Sequence, residues 1–164
     1  MRHELNLWGN AVDSLNEGLR CYDKALNGDV GAYKYVVTHI AHFLELMFKR
    51  AVQSEHRLLL HRIPSARELK PESMIGFGEA VALVQNIGFK LDAGFLARVR
   101  AIQQLRNQIM HSHVQIEISD VAQLIATVLQ DASWFAEASH APALVISVAD
   151  DCRHTLLKLL DVHS

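Results

Sequence analysis

The chain has 164 residues, half of them hydrophobic and 21% charged. That composition fits one domain with a buried core and excludes a disordered chain. Its formal net charge of -2 excludes a general nucleic-acid binder, whose affinity would rest on many Lys and Arg contacts to phosphate, but leaves room for a short local contact with RNA.

At the N-terminus, Met1-Arg2-His3-Glu4 runs into an amphipathic pattern without the apolar core of a signal peptide. Leu5, Trp8, Val12, Leu15, Leu19, Tyr22 and Leu26 then recur at steps of three and four, the spacing of one helix face. Asn27-Gly28-Asp29 stops that helix, with Gly28 supplying a left-handed cap. Tyr33, Val37, Ile40, Leu44, Met47 and Ala51 predict a second long helix, and the extra apolar row Val36 and Phe43 predicts that it is central.

From Ser54 to Pro71 the periodicity fades. His56, Arg57, His61, Arg62, Arg67 and Lys70 make this the most basic stretch, read as a loop with a short helical turn. A third helix is expected from about Glu72 to Ile87, with Ala80, Leu83 and Ile87 inward and Gly88 after its end. Asp92 is the expected N-cap of a fourth helix running to about His113. Ser119 is the expected cap of a fifth, with Val121, Leu124, Val128 and Phe135 inward. After Ala141-Pro142-Ala143, Ala149, Cys152, Leu156 and Leu159 line up on a sixth.

No segment alternates with period two, and no repeat or linker divides the chain. The expectation is an all-α domain over residues 1–164, an antiparallel bundle of about five to six helices. Cys21 and Cys152, without a Cys-x-x-Cys spacing, read as buried thiols of a reducing compartment. No apolar run approaches the roughly 20 residues that cross a bilayer. The expected location is therefore cytoplasmic, with no membrane association.

The fourth helix carries the chemistry. Val99, Ile102, Leu105 and Ile109 form its buried face, while Arg100, Gln104, Asn107 and His111 form a separate polar row. Arg106 is expected at the edge of the apolar face, flanked by Gln103 and Met110, with its long side chain swung toward Asn107 and His111; His113 lies seven residues on, on the same side. This set suits RNA cleavage by attack of a 2′-hydroxyl on the neighbouring phosphate. A histidine moves protons near neutrality, an arginine offers a fixed charge and a planar fork to the phosphorane, and an asparagine can orient either. No metal is needed. The bare spacing is weak, since ten arginines and ten histidines supply about 0.6 Arg-x4-His pairs by chance. A polar stripe is also what the solvated face of any bundle helix looks like.

The run Arg106-Asn107-Gln108-Ile109-Met110-His111 resembles the R-N-x-x-x-H signature of the HEPN superfamily (higher eukaryote and prokaryote nucleotide-binding), near the end of a late helix as in that family. The stretch Thr38 to Lys49 is similar to the family's E-L-L-L-K-type helix, and the His-, Leu- and Arg-rich loop after it also fits. The resemblance covers roughly Leu5 to Trp134. It implies a metal-independent endoribonuclease, a toxin or defence effector, whose Arg and His meet across a two-fold homodimer. Arg106 would then stabilise the phosphorane, His111 act as acid or base, and Asn107 orient them. Glu45 matches the family's second-helix acid, either bracing the site or pairing with Lys49 one turn on. The partners implied are an RNA substrate, a second copy of the chain, and an antitoxin or a nucleotidyltransferase-like protein. One toxin branch has a tyrosine two residues after the histidine; here His113 stands there, which argues against that branch. His113 could assist catalysis or be a surface residue. The second reading is a non-catalytic module binding a nucleotide, RNA or protein.

Arg100, Arg57 and Arg62 are the candidate RNA contacts, the latter two on a basic loop that could equally be a solvated connector. No metal or cofactor is assigned. His39, His42 and Glu45 have one-turn spacing, but Glu137 and His140 make a single Glu-x-x-His where a di-iron bundle needs two. Gly76-Phe77-Gly78 lacks the rest of a phosphate-binding loop. Trp8 and Trp134 are expected in the core or at a dimer contact.

Overall fold

The computed structural model describes residues 6–62, 74–111 and 115–161. Within them lie seven helices: α1 (Leu7–Leu26), α2 (Tyr33–Glu55), α3 (Phe77–Asn86), α4 (Ala93–His111), α5 (Ile118–Ala138), the four-residue α6 (Leu144–Ser147) and α7 (Asp150–Asp161). Short 3-10 turns at Val30–Ala32 and Arg57–Leu60 flank α2. Among the described residues there is no strand, only an isolated bridge between His61 and Met74. None of the helices is long and apolar enough to cross a membrane.

The helix ends follow local chemistry. Asn6 caps α1 by accepting from the Gly9 N–H at 2.8 Å, and Asp92 caps α4 by accepting from the Phe95 N–H at 2.7 Å. Gly28 and Gly88 adopt φ of 109° and 111° just past α1 and α3. In each case the next residue reaches back across the turn, Asp29 N–H to the Lys24 carbonyl and Phe89 N–H to the Val84 carbonyl. The C-terminus of α5 is built differently, with His140 itself at φ 60°. Arg50 of α2 stabilises that turn, donating to the carbonyls of Ser139 (2.8 Å) and His140 (3.3 Å) while its guanidinium lies 5.9 Å from the Trp8 ring centre.

Contacts between α1 and α2 fall in opposite order along the two helices: Trp8 meets Arg50, Gly18 faces His39 and Ile40, and Tyr22 stacks edge-on with Tyr33. The pair is therefore antiparallel. Gly18 permits its close approach, because a Cβ there would stand 3.1 Å from Ile40 Cδ1. The axis of the fold is α2. From Phe43 to Val52 only Glu45 and Arg50 are not buried. The Phe48 ring lies 5.1 Å from Phe135 of α5, 5.8 Å from Phe95 of α4 and 6.1 Å from Phe77 of α3. One buried cluster runs from Leu7 to Leu159.

Polar bonds dock α7 on α1. Asn16 Oδ1 accepts from the Ala149 N–H at 2.9 Å, Arg20 forks onto Asp151, and the Thr155 hydroxyl donates to Asp23 at 2.7 Å. Here the order runs the same way along both helices, so α7 lies parallel to α1.

Several sequence expectations change. The third helix starts at Phe77, not near residue 72, because Met74 bridges to His61 and the Ile75 N–H donates to the Leu60 carbonyl at 2.7 Å. Glu117, not Ser119, occupies the N-cap position of α5, and Ser119 lies in its first turn. The expected sixth helix is two pieces, broken at Val148–Ala149, where Asn16 captures the Ala149 N–H. Leu26, at 55% exposure, lies outside the core. So does Trp134, at 54%, on a polar flank of α5. Cys152 is buried and Cys21 half-buried, and desolvation pushes both thiols up, away from thiolate chemistry.

Two predictions follow from this packing. Phe48→Ala should lower unfolding free energy by about 3–5 kcal/mol in denaturant titration, since it removes a ring that four helices share; a loss below about 1 kcal/mol would contradict the central role of α2. The second concerns Arg62 and Glu79. Arg62 hydrogen-bonds Glu79 at 2.9 Å, which with the Gly76 N–H holds that carboxyl below the ordinary range. A lowered carboxyl contributes stability above its unfolded pKa and loses it as pH falls through the lowered value. Arg62→Ala should shift the Glu79 titration upward, though not fully, because Gly76 still donates; side-chain carbon NMR reads it directly.

Candidate functional site on the fourth helix

The polar row of α4 is where the sequence places it. Arg100, Gln104, Asn107 and His111 are all exposed, and His111 is the last helical residue. Beneath them, Phe95, Val99 and Ile102 are buried, while Leu105 and Ile109 are half-buried. On the other side α4 is tied to α5 by Arg98, whose guanidinium forks onto Asp131, with Nη2–Oδ1 at 3.0 Å. Arg106, expected at the edge of the apolar face, is half-buried. Phe95, Val99, Ile102 and Arg106 follow at steps of four, three and four, so Arg106 takes the next place in the buried column.

That position has two consequences. Arg106 is half-buried, and its Nε is buried with no hydrogen-bond partner among the described residues. A buried donor left unpaired costs about 1–3 kcal/mol. Arg106 and His111 also diverge. Five residues at about 100° each put them roughly 140° apart around the axis and about 7.5 Å apart along it. Asn107 and His111 share the outer row; Arg106 does not. Met110, beside Arg106 on the helix surface, is 63% exposed.

Two depressions flank the row. Arg100 and Gln103 line a small cleft of about 120 Å³ against α3, with Val81 and Gln85 opposite. Gln104 lines a larger groove of about 410 Å³ against the start of α5. The expected site residues did not include the groove's other polar members, Gln108, Gln115, Glu117 and Asp120. Only their clustering on both sides of the α4–α5 connection could have marked them.

The remaining candidates are dispersed. Glu45 accepts from Lys49 Nζ at 3.3 Å, with side chains 19% and 11% exposed, the i, i+4 pairing expected as one of its two roles. Lys49 stands among buried neighbours on α2, and its ammonium reaches this carboxylate while its stem packs. Arg57 is exposed on the 3-10 turn after α2, and Arg62 is engaged with Glu79. His113 lies outside the described residues.

No protein-family model, curated protein or solved structure matches this chain.

Proposed function

We propose that the protein is a metal-independent endoribonuclease of HEPN type, active as a homodimer with a cleft built from both subunits. The placement of Arg106 carries this reading. A half-buried guanidinium whose Nε has no hydrogen-bond partner among the described residues, set about 140° around the axis from His111, looks to a different side of α4 from that histidine. A two-fold that sets the ends of two α4 helices face to face brings Arg106 of one chain toward His111 of its partner. Exposed Met110 would be covered in the same step.

In that cleft the 2′-hydroxyl of one nucleotide attacks the adjacent phosphorus, and the 5′-oxygen of the next nucleotide leaves. One imidazole takes the hydroxyl proton or supplies the leaving-group proton. Arg106 places permanent positive charge on the phosphorane oxygens, where desolvation strengthens it. Asn107 orients the imidazole or holds a phosphate oxygen. The products are a 2′,3′-cyclic phosphate and a free 5′-hydroxyl. Such a protein suits a toxin or defence role, with an antitoxin or nucleotidyltransferase-like protein as its regulating partner.

In EDTA, wild type should convert mixed RNA to fragments with 2′,3′-cyclic phosphate ends. Arg106→Ala and His111→Ala should each reduce that rate by at least about 100-fold with helicity unchanged. Equal RNA decay in all three proteins would sink the ribonuclease and leave a non-catalytic binding module. Mixing the two inactive variants tests the composite cleft. Roughly half the dimers in an equilibrated 1:1 mixture are mixed, and these retain one intact Arg106 and one intact His111 on opposite chains. Cleavage should return on mixing; a mixture as inactive as its components would mean that both residues must act from one chain.

A further inference from the structure

The groove between α4 and α5 has a floor and a rim of different character. Leu105, Ile116, Val121 and Leu124 form the apolar part. Gln104 stands on the α4 wall, and Asp120 on the first turn of α5 opposite. A volume of about 410 Å³ lies within the usual range of small-ligand sites. Apolar floor with polar rim is the pattern that accepts a flat ring with hydrogen-bonding edges, as single-stranded RNA readers do with splayed bases. The α4 wall extends to Gln108, three residues and about 4.5 Å of helix rise before His111. A base in the groove therefore lies within one nucleotide's reach of that histidine.

The charge on the rim decides which base. Among the described residues, the charged ones lining the groove are Glu117 and Asp120, so phosphate is repelled from them and lies outside, on the ridge of Asn107 and His111. A Glu117 oxygen is 3.3 Å from the Ser119 hydroxyl that donates to it, which leaves Asp120 as the more available acceptor. A carboxylate accepts two parallel hydrogen bonds and donates none. Guanine alone among the four bases presents two adjacent donors on its Watson–Crick edge, N1–H and the 2-amino group. Adenine and cytosine each set a ring acceptor beside the amino group, and uracil flanks its single N–H with two carbonyls. The Gln104 carboxamide can donate to the guanine O6 from the facing wall.

We propose that this groove is the base-selecting subsite of the enzyme and that Asp120 selects guanine next to the scissile phosphate, an inference that rests on the ribonuclease reading above. Asp120 is here a specificity residue; it takes no part in proton transfer.

Two measurements separate the inference from its foundation. The first needs no cleavage: the isotope-labelled full chain is titrated with guanosine, adenosine, cytidine and uridine. Guanosine should perturb the amides of the first turn of α5 and the Gln104 side chain most strongly. Asp120→Asn should weaken that binding about tenfold, the usual scale for a lost charge-assisted pair at an accessible site. Equal responses to all four nucleosides, or a guanosine response indifferent to Asp120→Asn, overturns the proposal. The second sequences the ends of cleaved RNA. Wild-type cuts should cluster beside guanine, and Asp120→Asn should lose that preference. Cuts that depend on His111 but ignore guanine overturn the subsite and keep the ribonuclease. Guanosine binding that depends on Asp120, with no cleavage of any RNA, keeps the guanine site and removes the ribonuclease.

Discussion

Four helices meet at the ring of Phe48, and the burial of α2 around it sets the terms for everything else. An amphipathic helix normally keeps one solvated face. Between Phe43 and Val52 α2 scarcely has one, because α1 packs on one side while Phe77, Phe95 and Phe135 come in from α3, α4 and α5. Three charged residues survive in that stretch with defined partners. Lys49 is matched by Glu45, and Arg50 is spent on the carbonyl end of α5. Neither cation is free to meet an RNA backbone. The charge available to a substrate is thereby left to the periphery of the fold.

The packing also explains why α4 has two unlike faces. Its first half is clamped, by Phe95 against Phe48 and by Arg98 against Asp131. Its second half is less covered: after Ile102 no residue of α4 is buried, and Leu105, Arg106 and Ile109 are half-buried. A rigid first half and a sparsely covered second half suit a helix that presents side chains to a partner. Positioning comes from the scaffold, and the exposed end of the helix remains accessible.

Much of this architecture could be read from spacing. The three-and-four periodicity marks α1, α2 and the buried residues of α5, and local signals such as Gly28, Gly88 and Asp92 mark three helix ends because the turn chemistry is contained in a few adjacent residues. What was illegible was set from a distance. The break before α7 depends on Asn16, 133 residues earlier, and the late start of α3 on a bridge to His61. The end of α5 uses a histidine at positive φ supported by Arg50, which no rule about glycine caps would anticipate. The polar row of the candidate site was visible as a helical stripe. The buried Nε of Arg106 was not, because only the tertiary neighbours decide how far a charged residue beside an apolar column is covered. The groove polar residues were hidden for a related reason: they lie on two helices and only tertiary contact gathers them.

The clasp of α7 on α1 has a consequence for how the chain reaches this state. Arg20 and Asp151 are 131 residues apart in sequence, and Thr155 and Asp23 are separated by 132. On a ribosome adding about 5–20 residues per second, α1 waits roughly 7–26 s for the helix that accepts its polar side chains. During that interval α2 can already cover the apolar face of α1, since the two are joined by a few residues and lie antiparallel. The helix hairpin is then a holding structure, local and quick to close, and the docking of α7 is the high-contact-order step that completes the domain. Although α1 is made before α7, it is fully enclosed only when α7 docks.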